Sequence, residues 1–327
     1  KYVKMALNAD LSKISTQISN LEGADKVYKN FNKKFIDRSN RIDLSKINDP
    51  IIKKLAQLHI NYWTDALLDP QNLQPLEVKL WKDIIQLSNQ INKTEVEYDQ
   101  DTLVEPFYKY VQDQGYGFLA FGRTTPLLDF MIWKKNDRMP FEVQLTDITQ
   151  KVDVVYMGDY VVKGWIHFVT DGGASVGGWA GEQELYCVCE TYDLQSEEFE
   201  ISYLKHEARH FADYKLYPKL QSSTLEYRAK LTELVYANIS KLTILDRFTN
   251  DGIKSAKSGH SLANWHVINN LVNHFEIKVA QFDQIDWSEY SNSQIQAAAT
   301  QLLLESDSAI NELGSETTEN IIFPIAD

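Results

Sequence analysis

The sequence predicts an α+β protein: a helical N-terminal region, then a mainly antiparallel sheet, then a helical subdomain built around one histidine-rich helix. Three observations predict it. Apolar residues recur at helical spacing through the first hundred or so positions. From Gly115 the texture changes to short apolar runs and period-two alternation, and from Ser196 helical spacing returns. The expected division is a helical region at 1–114 and a second domain at 115–327, made of a β subdomain (115–195) and an α subdomain (196–327).

Composition narrows the classes. The chain has 327 residues, 43% hydrophobic and 12% aromatic, which is ample for a buried core and excludes a disordered protein. A net charge of −13, with no basic cluster interleaved with aromatics, opposes nucleic-acid binding, because phosphate contact needs a basic surface. No apolar run approaches the length of a membrane span. The chain begins with Lys1 rather than Met, so removal of an upstream leader, and with it export to a periplasmic or secreted location, is an expectation. Cys187 and Cys189 lie too close in sequence for a relaxed disulfide and are expected as small apolar side chains under a sheet.

Taken in order, Asp49-Pro50 reads as an N-cap and first helical position. Ile51, Ile52, Leu55, Leu58, His59, Trp63 and Leu67 recur at helical spacing, with His59 a packed core residue. A second helix is expected over 75–87, with Leu76, Val78, Leu80, Trp81, Ile84 and Ile85 inward, and a third over 103–112, joined by a polar linker at 88–101. Strands are expected at 117–121, at 127–133, and around Phe141, Val143 and Leu145. A hairpin is expected to run from Val152 to Met157, turn at Gly158-Asp159, and return from Tyr160 to Thr170, with His167 structural. One more strand covers 184–190. Before it lies Asp171 to Gly181, with five glycines in eleven residues, which marks tight turns or close backbone approach. A flexible loop and an edge strand that takes up a peptide backbone are both consistent with it.

The helix expected over 197–214, capped by Ser196, carries His206-Glu207-Ala208-Arg209-His210. Residues four apart share a helix face, so the two imidazoles can address one point, with Glu207 close enough to reach a water there. Two neutral imidazoles and a neighbouring carboxylate are what a catalytic zinc site needs, and one zinc ion is therefore expected. Such a site needs a third protein ligand. The next helix, expected to run from about Thr224 to Phe248 with Leu231, Leu234, Val235, Ile239, Leu242 and Leu245 inward and with Ser222-Ser223 as its cap, offers Glu226 in its first turn. Glu233, two turns on, is either a partner to a ligand histidine or the ligand itself. A donor for a developing oxyanion is sought among His260, Tyr227, Arg228 and Tyr214. His266 and His274 read as packing or surface residues, Ser293 to Leu313 as a closing helix, and the segment from Glu316 through Ile321-Ile322-Phe323 as a surface strap.

His206-Glu207-x-x-His210 followed by Glu226-x-x-Ala229 resembles the gluzincin zinc metallopeptidases over about 175–250. The resemblance implies a thermolysin-like order of sheet, motif helix and ligand helix. It implies zinc held by His206, His210 and Glu226, Glu207 as general base, and a later residue such as His260 beside the transition state. It also implies an upstream edge strand, here Gly177, Gly178, Trp179 and Ala180, that binds the backbone of a peptide or protein substrate. Gluzincin aminopeptidases carry a Gly-x-Met-Glu-Asn segment there; Ala180 stands where its glutamate would read an amino terminus, which turns the expectation away from an aminopeptidase. The metzincin third histidine is absent after His210. The expected activity is peptide hydrolysis, and the rival is an inactive zinc-binding or partner-binding protein on the same scaffold.

Overall fold

A computed structural model describes residues 6, 9–12, 25–38, 42–92, 100–124, 126–256 and 258–318. The fold is α+β with two separate sheets. In chain order the elements are α1 (Asp25–Phe31), α2 (Pro50–Leu68), α3 (Leu73–Asn92), α4 (Gln100–Asp113), β1 (Gly117–Thr124), β2 (Leu127–Trp133), β3 (Lys135–Gln144), β4 (Thr149–Gly158), β5 (Val162–Lys163) and α5 (Gly164–Val169). After these come β6 (Gly178–Ala180), β7 (Glu184–Val188), a π-helical stretch (Phe199–Lys205), α6 (His206–Leu216), α7 (Ser222–Tyr236), α8 (Lys241–Asp251), α9 (Gly259–His274) and α10 (Asn292–Leu313). They form two compact units, which do not coincide with a cut at 114/115: Lys1–Asn136 with Met157–Val176, and Asp137–Tyr156 with Gly177–Asp327.

The first unit packs α1 to α5 around the sheet β1-β2-β5, whose pairings are antiparallel. Helix α2 starts as its sequence requires, with the Asp49 carboxylate accepting from the Ile51 and Ile52 N–H groups and Pro50 at the first position. His59 is buried as expected: its ring stacks on Phe130 at 4.6 Å and its Nδ1 lies 3.0 Å from the Leu55 carbonyl. Val78 does not face inward; it is 64% exposed. The expected linker is partly helical, since α3 runs through Ser88 to Asn92 and α4 begins at Gln100; the residues between lie outside those described.

The expected return strand from Tyr160 to Thr170 is not formed. Only Val162 and Lys163 pair, with β2, and the chain then turns through Gly164 at φ +85° into α5. The cause is Asp129 of β2. Its buried carboxylate accepts from the Trp165 N–H at 3.0 Å, capping a helix that buries Trp165, Phe168 and Val169 at helical spacing. The single sheet expected across 115–190 is accordingly two.

In the second unit the sheet order is β3-β4-β7-β6, so β4 neighbours β3 and β6 is an edge strand. Val143 and Leu145 are buried as the alternation predicts. The motif helix lies between two cores. Tyr203, Ala208, Phe211 and Ala212 pack on Val143, Val154, Leu185 and Cys187 of the sheet, while Ile201 joins Leu231, Leu234, Val267 and Ile295 of the surrounding helices. Cys187 is fully buried and Cys189 half-buried, both as thiols.

The long helix expected to reach Phe248 is broken at Ala237–Ser240. Glu197 accepts from the Asn238 and Ser240 N–H groups at 2.7 and 2.6 Å, drawing those amides out of a helical path. The phase changes at the break, so Ile239 is 91% exposed and Leu242 is also exposed, against expectation. Neither Ser222 nor Ser223 caps α7, which starts after Gln221 without a side-chain cap. Helix α10 buries Ile295, Ala298, Leu302, Leu303 and Ile310 as predicted, and residues 319–327 lie outside those described.

Candidate metal centre

The Ser196 hydroxyl accepts from the Phe199 N–H at 3.1 Å, so the helical segment begins where the sequence placed it. It runs as a π-helical stretch through Lys205 and becomes α-helical at His206. π-Turns inside helices cluster at functional sites, because the extra residue changes the direction of the side chains beyond it. Lys205 anchors the junction: its buried ammonium donates to the Gln144 carbonyl at 2.9 Å and lies 4.0 Å above the Tyr236 ring.

From α6, His206 and His210 present their Nε2 atoms to each other at 3.1 Å. From the first turns of α7, Glu226 brings Oε1 to 3.3 Å from His210 Nε2 and Oε2 to 3.6 Å from His206 Nε2. All three residues are buried, and they are the group of metal-type ligands that converges among the described residues. Atoms about 2.0–2.1 Å from a tetrahedral zinc lie about 3.3–3.4 Å from one another. The observed contacts, 3.1, 3.3 and 3.6 Å, straddle that spacing, the last two being made by different oxygens of Glu226, so the three residues could hold such an ion after shifts of a few tenths of an ångström. Glu226 Oε2 and His210 Nδ1 are both buried without a well-aligned hydrogen bond. A buried carboxylate oxygen needs charge around it, and both Lys230 and His260 approach this one.

Charges around the triangle explain how it stays buried. Burial pushes the Glu226 carboxyl up, but Lys230 and His210 beside it outweigh that and hold it well below the usual carboxylate range. For His210 burial pulls the imidazole down, and the charges of Glu226, Glu207 and Asp213 more than compensate. The site is therefore one where a positive charge is favoured despite burial. Lys230 Nζ stands 3.5 Å from Glu226 Oε2, and His260 Nδ1 lies 2.9 Å from the same oxygen with its side chain 67% exposed. His206 Nδ1 contacts Glu233 Oε1 at 2.8 Å, which orients the ring and leaves Nε2 to the centre. Among the described residues no carboxylate meets His210 Nδ1, and its ring stacks on Tyr214 at 6.1 Å.

Glu207 is half-buried on the same helix, and its charge reaches Tyr192, Tyr203 and Tyr214. Of the candidate oxyanion donors, His260 and Tyr214 lie at the cluster. Tyr227 is fully buried and accepts from Asn270 Nδ2 at 2.9 Å. Arg228 is also buried, with its Nε 2.7 Å from Asp213 and its Nη1 2.7 Å from Asp307. Arg209 completes that network on Asp213 and Asp147, fastening α6 to α7 and to the loop before β4. Lys230 and the Arg209–Asp213–Arg228 network were not singled out from sequence. The Glu226/Lys230 spacing of four on one helix was the available signal.

Gly178, Trp179 and Ala180 form β6, antiparallel to β7 and packed against α6, with the Gly177 carbonyl accepting from the Val188 N–H at 2.9 Å. The glycines serve close approach. A Cβ at Gly177 would collide with the Tyr192 hydroxyl, and one at Gly178 with the Tyr186 carbonyl and the Tyr203 ring. Trp179 stacks on Tyr186 at 5.2 Å. Comparison with protein-family models, curated proteins and solved structures finds no match to this chain.

Proposed function

We propose that this chain is a zinc-dependent peptidase of gluzincin type, with a thermolysin-like order of sheet, motif helix and ligand helix. The observation that carries the reading is the buried convergence of His206, His210 and Glu226, with contacts of 3.1–3.6 Å, next to a carboxylate, Glu207, suited to act as a base. Zinc bound there would polarise a scissile carbonyl and lower the pKa of a water. Glu207 is the residue that would take a proton from a water at the centre and pass it to the leaving amine. Glu233 keeps His206 in the tautomer that offers Nε2. The extended substrate adds to the edge of β6 by main-chain hydrogen bonds. His260, reaching in from the start of α9, stands beside the developing oxyanion. A purely structural zinc site has no use for Glu207, which weighs against the inactive, partner-binding alternative.

Cleavage of a mixed peptide library, with zinc content measured in parallel, tests this. Glu207→Gln should keep its zinc and lose roughly 10²–10⁴-fold in rate. A natural protein loaded with zinc that cleaves no peptide would instead support the binding alternative.

A further inference from the structure

The geometry points to Arg247 as a positioning residue for this centre, acting on His206 through Glu233. The inference rests on the zinc reading above. Glu233 is 1% exposed and uses its two oxygens on different partners: Oε1 meets His206 Nδ1 at 2.8 Å, and Oε2 meets Arg247 Nη2 at 2.6 Å. The same Arg247 nitrogen lies 3.5 Å from Ser202 Oγ, inside the π-helical stretch that delivers His206.

Each link has a physical consequence. An imidazole whose Nδ1–H donates to a carboxylate must present a bare Nε2, so Glu233 sets both tautomer and ring direction. A carboxylate held by one oxygen still turns about its last torsion, which is broad and two-fold. Arg247 takes the other oxygen and removes that freedom. A charge-assisted contact of this length is directional, and the planar guanidinium lets one group address Glu233 and Ser202 together. Arg247 comes from α8, beyond the break at Ala237–Ser240, so α8 enters the metal centre without supplying a ligand.

The competing description is an ion pair that only stabilises the fold, since the Arg247 side chain is 40% exposed. Zinc affinity by competition with a chelating indicator separates the two, alongside the visible spectrum of the cobalt(II)-loaded protein and the melting temperature of each metal-free variant. Glu233→Gln should weaken zinc by about 10–100-fold, the range for partners of ligand histidines. Arg247→Ala should weaken it about tenfold and shift the cobalt bands, with Arg247→Lys recovering part of the loss. The double variant Arg247→Ala/Glu233→Gln should bind no more weakly than Glu233→Gln alone. Arg247→Ala with zinc affinity within twofold of the natural protein would overturn the proposal. So would a double variant whose loss is the product of the two single losses. A natural protein that binds neither zinc nor cobalt removes the centre itself and this role with it, whereas failure at Arg247 alone leaves the zinc reading standing.

Discussion

At the scale of residues, the His206–His210–Glu226 cluster is where sequence and structure speak most directly. His206 and His210 are local: one turn of helix brings them together, so their spacing alone placed them. Glu226 is offered by its place near the start of the next helix, and its carboxylate does meet both imidazoles. The cations around it were not legible. Arg247 reaches Glu233 only because α8 starts in a new phase after the Glu197-held break, and no glycine or proline marks that break in the sequence. Glycine at 178 shows the same asymmetry. Its presence was plain, while its reason, the Tyr203 ring and the Tyr186 carbonyl beneath it, is tertiary. Gly178→Ala should therefore destabilise the second unit by about 1–3 kcal/mol, the usual cost of overpacking. Urea denaturation followed by Tyr and Trp fluorescence would measure it.

Elements carry the next level. Helix α2 was readable from its cap to its last apolar residue because cap, stripe and length agree. Helix α5 was not. Trp165, Phe168 and Val169 have helical spacing, but six residues are too few to outweigh the β-type composition, and the deciding Asp129 sits 36 positions upstream. His59 gives α2 a measurable property. Burial pushes its imidazole from 6.5 down to about 4. Between those values the unfolded chain takes up a proton that the folded helix refuses. Stability is full above pH 6.5, falls as pH drops toward 4, and levels off below. The loss is about 3 kcal/mol, at about 1.4 kcal/mol per pH unit. Denaturation midpoints from pH 7 to 4 should fall more steeply for the natural protein than for His59→Phe; equal slopes would show that His59 is not the group responsible. The α6–α7 pair depends on another buried group, Asp213, which is fully buried and binds both Arg209 and Arg228. Asp213→Ala leaves two guanidinium groups short of a partner and should cost about 3–5 kcal/mol, read from chemical denaturation.

For the whole molecule, the sequence conveyed the class and the order of helix, sheet and helix, because each is a statement about local periodicity. It did not convey that the β segment is shared between two units, since strand partnership is non-local: β4 goes with β3 and β7, while the residues after Gly158 return to β2. His206, His210, Glu226, Glu233 and the edge strand all belong to the unit formed by Asp137–Tyr156 and Gly177–Asp327. In the proposed function, His206, His210 and Glu226 together hold one zinc ion. Zinc content per chain after dialysis against a zinc buffer tests it most directly, on the natural protein and on His210→Ala and Glu226→Ala. The natural chain should hold one zinc, His210→Ala none, and Glu226→Ala a sharply reduced amount. A natural chain that stays empty, or a His210→Ala chain that still holds one zinc, would contradict it.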